Sequence, residues 1–82
     1  MKLLFKASNG NERVITNVDS WCNACSEINK FLDGHNFKSY YQRLWQEDNR
    51  VYVDVGSHTE FFIVEPCTMA MIHIEQEMLE ED

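Results

Sequence analysis

Short apolar runs separated by turn-forming residues predict β-strands over much of this chain. The first two runs, residues 3–7 and 13–17, flank the tetrapeptide Ser8-Asn9-Gly10-Asn11. Asn-Gly between two such runs predicts a β-hairpin, because both residues accept a positive φ angle.

A second series of strands is predicted at residues 40–46, 50–55 and 59–64, with short turns between them. In the middle run, valine alternates with Tyr52 and Asp54, which predicts a half-buried strand of period two. The last run is rich in aromatic and β-branched residues, and Pro66 ends it.

Helical spacing of apolar residues predicts a helix over residues 21–33, with Asp19 or Ser20 as its N-cap and Gly34 as the residue that ends it. The apolar residues share one face of this helix, which we expect to pack on the core. They are Trp21, Ala24, Cys25, Ile28, Phe31 and Leu32.

From residue 68 onward the sequence predicts a second helix, with Met71, Ile74 and Met78 as its apolar stripe. Four glutamates lie outside that stripe: Glu75, Glu77, Glu80 and Glu81. Residues 69–74 are also compatible with a strand, so both alternatives stay open here.

The element order β-β-α-β-β-β-α predicts an α+β fold in which an antiparallel sheet is packed on one face by helices. A chain of 82 residues has room for one domain, residues 1–82, with residues 80–82 expected to fray. The apolar runs are too short for a membrane span or a signal peptide, so we expect a cytoplasmic protein without membrane contact.

Charge is distributed unevenly along the chain, and this narrows the choice of partner. The net charge is −7, yet residues 1–50 contain all seven basic residues against six acidic ones, a net of +1. Residues 51–82 contain the other eight acidic residues and no Lys or Arg, a net of −8. Phosphates would be repelled by this C-terminal segment, so we expect no direct contact with nucleic acid. A basic protein surface is favoured instead.

The run Trp21-Cys22-Asn23-Ala24-Cys25 resembles the thioredoxin-family active site, in which a helix N-terminus lowers the pKa of the first thiol. This resemblance implies a thiol-disulfide oxidoreductase with Cys22 as nucleophile and Cys25 as resolving thiol. The thioredoxin fold is built from parallel β-α-β units and has a cis-proline loop that faces the thiols. The element order predicted here has short turns between its later strands instead, and Pro66 follows a strand rather than leading into one. We therefore prefer to read Cys25 as a small core residue.

Metal and hydrolytic sites are disfavoured by spacing, and we predict no cofactor and no catalytic residue. Cys67 and His73 are isolated in sequence, whereas a zinc site usually has a second closely spaced pair. Ser57 and His58 are neighbours in one turn, and a catalytic triad needs groups that converge from separate elements.

Aromatic residues of the second strand series add a candidate protein contact. With strict alternation, Tyr41, Arg43 and Trp45 point to the same side of their strand. Exposed aromatic residues beside an arginine are typical of interface hot spots.

Residues 36–45 and 54–64 resemble stretches of small phage- and prophage-encoded proteins of unassigned function. Small acidic phage proteins as a class include inhibitors of host defence such as anti-CRISPR proteins, several of which are similar to DNA in charge and block a basic nucleic-acid channel. The resemblance implies an inhibitor in the host cytoplasm that acts by analogous mimicry.

The leading prediction is a non-enzymatic protein that binds a basic partner, possible partners including a nucleic-acid-binding defence protein. The acidic residues expected at its binding surface are Asp54, Glu60, Glu65, Glu75, Glu77, Glu80 and Glu81, with Tyr41 or Trp45 as an anchor. The alternatives are the thiol-disulfide oxidoreductase and a homodimeric assembly or regulatory protein that pairs through its sheet face.

Overall fold

The computed structural model describes residues 1–34, 42–56 and 59–80, and at residues 79 and 80 it describes the backbone alone. Within these residues the strands are β1 (Lys2–Lys6), β2 (Glu12–Asn17), β3 (Arg43–Glu47), β4 (Arg50–Asp54) and β5 (Phe61–Glu65), and the helices are α1 (Trp21–Gly34) and α2 (Met69–Glu80). The strands form one antiparallel sheet in the order β2-β1-β5-β4-β3. The predicted α+β class and the element order β-β-α-β-β-β-α are confirmed.

The β1–β2 hairpin forms where it is predicted, with a wider turn than Asn-Gly alone would make. The Ala7 N–H donates to the Asn11 carbonyl at 2.8 Å, and the Gly10 N–H donates to the Ala7 carbonyl at 2.9 Å. Gly10 has a φ of 92°, the left-handed conformation that glycine adopts without a steric penalty. Asn9 acts through its side chain instead, because its Oδ1 accepts a hydrogen bond from the Asn11 N–H at 3.0 Å.

The main core lies between the sheet and both helices. Its buried residues come from alternate positions of β1, β4 and β5, from one face of α1 and from α2. They include Leu3, Val51, Val53, Phe62 and Val64 of the sheet and Trp21, Ala24, Ile28, Leu32 and Ile72 of the helices. The predicted apolar face of α1 is confirmed, with Cys25 and Phe31 packed half-buried at its margin.

The other face of the sheet is covered by its own long side chains. Leu4, Tyr52 and Ile63 form a second buried cluster there, with Trp45 and Phe61 packed against it. Strand β4 lies between β3 and β5 and is buried on both faces, since Val51 and Val53 belong to the main core and Tyr52 belongs to the second cluster. The prediction of a half-buried β4 is wrong, because alternation indicates a strand whose second face meets water, and residues 51–54 are buried on both faces.

Helix α2 forms in preference to the strand alternative and is attached to the sheet at its N-terminus. The Thr68 side chain accepts a hydrogen bond from the Met71 N–H at 3.1 Å, and the Gln46 side chain accepts one from the Met69 N–H at 2.9 Å. Among the side chains of α2 that the structure describes, residues 69–78, Ile72 is the buried one, at 2% exposure. No helix among the described residues is long and apolar enough to cross a membrane.

Candidate binding surfaces

Asp54 lies inside the protein, so its carboxylate cannot contribute to an acidic binding surface. It is fully buried at the end of β4, on the sheet face opposite the helices. One carboxylate oxygen accepts a hydrogen bond from the Gly56 N–H at 2.9 Å, and the other lies 3.6 Å from an Arg43 guanidinium nitrogen. The prediction that Asp54 meets a partner is corrected accordingly: its charge is used within the fold.

Glu65 is also engaged within the fold, in a network centred on Arg50. The Arg50 Nε donates to Glu65 at 2.6 Å, while its two terminal nitrogens donate to the carboxylate of Glu12 at 3.2 and 2.5 Å. The hydrogen bonds to the two carboxylates raise the pKa of the Arg50 guanidinium, and the hydrogen bond from Arg50 lowers the pKa of Glu12. Arg50 joins β4, β5 and β2 across the face that contains Tyr52, whose hydroxyl lies 3.5 Å away.

Glu75 of α2 points inward and caps helix α1. Its carboxylate accepts hydrogen bonds from the N–H groups of Trp21 at 2.9 Å and Cys22 at 2.7 Å. The next N–H, that of Asn23, donates to the Ser20 side chain at 3.0 Å, which confirms Ser20 as the N-cap. The open N–H groups and positive dipole of the α1 N-terminus are thus satisfied by a carboxylate from a distant helix.

The remaining predicted acidic residues are divided between exposed and half-buried positions. Glu77 is exposed on α2, and Glu60 is half-buried just before β5. Glu81 and the side chain of Glu80 lie outside the described residues. The described side chains of the acidic segment, residues 51–82, therefore do not form one continuous surface, since Asp54 and Glu65 lie on the sheet face away from α2.

Trp45 is half-buried and belongs to an aromatic cluster on the sheet. Its ring stacks on Tyr52 with centroids 5.3 Å apart and meets Phe61 edge-on at 5.2 Å. The Arg43 guanidinium lies over the same ring at 4.9 Å. These contacts hold Trp45 in place and leave one part of it accessible; the other predicted anchor, Tyr41, lies outside the described residues.

The apolar stripe of α2 faces outward, which the sequence pattern did not reveal. Met71 is 45% exposed, Ile74 59% and Met78 71%. Ile74 lies roughly 160° around the helix from the buried Ile72. We call Met71, Ile74 and Met78 the α2 ridge. Apolar residues on two sides of a helix are typical of a helix that is buried on both sides. Here the side with the α2 ridge is not covered by any of the residues that the structure describes.

The geometry around Cys22 and Cys25 works against thiolate chemistry. Cys22 is exposed and Cys25 is half-buried. A thiolate at this helix N-terminus would be stabilised by backbone N–H groups, and the N–H groups of Trp21 and Cys22 already donate to the Glu75 carboxylate. Burial raises the pKa of the Cys25 thiol to about 11, and the neighbouring Cys22 and Glu75 contribute to the rise. Burial also raises the pKa of Cys67.

The raised pKa of Cys25 gives an expected pH dependence. In a Cys22→Ser variant, burial still raises the pKa of Cys25, so alkylation of Cys25 by iodoacetamide should keep accelerating above pH 9 in the folded protein, and should level off near pH 9.0 in denaturant. In the wild type the unfolded chain loses this proton first, so the free energy of unfolding should fall as pH rises from about 9 to about 11. Mass spectrometry of the labelled peptide measures the rates. A plateau near pH 9 in both states would contradict the burial of this thiol.

Among the described residues, no group of three or more His, Cys, Asp or Glu side chains could hold a metal ion. His35, Ser57 and His58 lie outside those residues. Comparison of the chain with protein-family models, curated proteins and solved structures finds no match.

Sequence reasoning missed the internal roles of three acidic residues, Asp54, Glu65 and Glu75, and the direction of the α2 ridge. One signal for the ridge was present, because Ile72 lies out of phase with Met71, Ile74 and Met78. Two apolar directions on one helix cannot both face the same core. No comparable signal exists for Glu75 or Arg50, whose partners are distant in sequence.

Proposed function

We propose that this protein is a non-enzymatic binding domain and that the outward face of α2 contacts a basic protein partner. The observation that supports this most strongly is the exposure of the α2 ridge, 45–71% for its three residues. Large apolar side chains aligned on one exposed helix face are typical of protein contact sites.

The charge around the ridge indicates the chemistry of the partner. Glu77 is exposed on α2 beside it, and the sequence contains no Lys or Arg after residue 50. Such a surface attracts a basic partner and repels an acidic one. A nucleic-acid-binding defence protein, the partner class that the phage-protein resemblance implies, has surfaces of this kind.

A surface that mimics DNA would present many exposed carboxylates, and the binding surface proposed here does not. Asp54, Glu65 and Glu75 are engaged within the fold, so apolar contact must supply much of the binding free energy. Charge then contributes mainly to the rate of encounter and to the choice of partner.

The proposal is tested by capture of partners from extracts of the source cells with the tagged protein. Ile74→Asp should reduce recovery of the captured protein by about tenfold or more, because a desolvated carboxylate would face an apolar contact. Val14→Asp is the matched control, since Val14 is 52% exposed on β2. The captured protein is then purified and titrated against both variants across a salt series. Equal recovery with Ile74→Asp and wild type, or an affinity indifferent to salt, would refute the proposal.

A further inference from the structure

The α2 ridge has the spacing of a coiled-coil contact. Met71, Ile74 and Met78 are separated by three and four residues, which corresponds to heptad positions a, d and a. In the same register Glu75 occupies an e position and Glu77 a g position. Positions e and g flank the apolar contact of two packed helices and set the choice of partner helix.

The charges at e and g argue against a second copy of this chain as the occupant. In a parallel pair, g of one helix faces e of the other; in an antiparallel pair, e faces e and g faces g. Both residues are glutamate here, so either arrangement of two identical helices brings like charges together. Because the Glu75 carboxylate is turned toward α1, its repulsion of a second copy is weakened, but the interaction is still repulsive.

The helix is also fixed in position before any partner arrives. Its N-terminus is bonded to Thr68 and to Gln46 of β3, Ile72 is anchored in the core, and Glu75 binds the N-terminus of α1. Because α2 is already held by these contacts, its backbone need not order on binding, which lowers the entropic cost of a contact along it.

We infer that the α2 ridge packs against an amphipathic helix of the partner that has an apolar a/d stripe and Lys or Arg at the flanking e and g positions. This inference rests on the proposed function and names the partner element for the same surface. Helix α2 has 12 residues, so the contact extends over less than two heptads. We therefore expect a moderate affinity that falls as salt rises.

The test uses three synthetic helical peptides of about three heptads. The first has leucine at a and d and lysine at e and g, the second has glutamate at e and g, and the third has the first composition in scrambled order. NMR chemical shifts of the full chain measure affinity and location. The lysine peptide should bind at the outward face of α2 about tenfold or more tightly than either of the others.

Two substitutions make the test specific. Glu77→Lys should weaken binding of the lysine peptide and strengthen that of the glutamate peptide, each by about threefold or more. Ile74→Asp should abolish binding, whereas Val14→Asp should leave it unchanged. Glu77 and Ile74 are exposed, so both variants should fold, as the dispersion of the NMR spectrum will show.

The contrary outcomes separate this inference from the proposed function. Equal binding of the scrambled peptide, shifts confined to the sheet face, or unaltered preference in Glu77→Lys would overturn the helix inference. So would sedimentation showing a wild-type dimer that Ile74→Asp dissociates, because the occupant would then be a second copy. If cellular capture still depends on Ile74 in any of the first three cases, the proposed function stands and only the helical partner is wrong. A dimer formed through the ridge would overturn both, because an acidic second copy would then occupy the outward face of α2.

Discussion

Replacing Glu75 with alanine should lower the free energy of unfolding by about 2 kcal/mol, because it removes two charge-assisted hydrogen bonds from the N-terminus of α1. A domain of this size is stable by only about 4–12 kcal/mol, so the loss is a large fraction of the total. Urea unfolding followed by circular dichroism measures it, provided the slope of the transition is unchanged.

Glu77→Ala is the matched control for this prediction. It removes the same side chain two positions along α2, where the residue is exposed, and should change stability by less than about 0.5 kcal/mol. The stability of Glu75→Gln, which keeps one acceptor oxygen, should fall between those of Glu75→Ala and Glu77→Ala. Glu75→Gln should also lower the pKa of Cys25 part of the way from about 11, because it removes a nearby negative charge and leaves burial, the main cause of the raised pKa, in place. Equal stability of Glu75→Ala and Glu77→Ala would show that the cap contributes nothing.

Replacing Arg50 with methionine should lower the free energy of unfolding by about 1–2 kcal/mol. This value lies between the stabilisation usual for an exposed ion pair and the loss of stability when one partner of a buried ion pair is removed. The side chains of Arg50, Glu12 and Glu65 are 28%, 29% and 30% exposed, so solvent screens the network only in part. The substitution also leaves two carboxylates near each other without their shared cation. Lys30→Met is the control, because Lys30 is 71% exposed in its ion pair with Glu27.

The Arg50 effect should depend on pH with a known sign. The hydrogen bond from Arg50 lowers the pKa of Glu12 below its ordinary value of 4.5. A carboxyl group with a lowered pKa stabilises the folded state above its unfolded pKa, and this contribution is lost as pH falls through the folded pKa. Wild type and Arg50→Met should therefore approach each other in stability below about pH 4.5. A difference that stays constant down to pH 3 would mean that packing of the Arg50 stem, rather than its charge, is responsible.

Local patterns predicted most of the elements because each has a local physical cause. The apolar spacing of α1, the cap at Ser20 and the glycine in the first hairpin all depend on residues within a few positions of one another. Turn-forming residues separate the later strands, so their antiparallel order follows from short connections. The α+β class could be predicted for this reason.

The roles of individual charged residues could not be predicted in the same way. Asp54 looks like the polar side of a half-buried strand, yet β4 becomes a central strand and its second face is covered by Tyr52 and its neighbours. Glu75 looks like a solvent-facing glutamate, yet its partners are 53 and 54 residues away. Burial and pairing over such separations depend on which elements contact each other in the fold, and the periodicity of a single element does not specify its contacts.

The sequence by itself determined the α+β class, the order of the elements, the apolar face of α1 and the concentration of negative charge after residue 50. Only the tertiary structure decided where that charge acts, because Asp54, Glu65 and Glu75 find their hydrogen-bond donors on other elements or in a turn of the chain. It also decided which side of α2 meets the core. Ile72 is buried in the main core with residues of the sheet and of α1, and the α2 ridge lies on a different side of the same helix and is exposed.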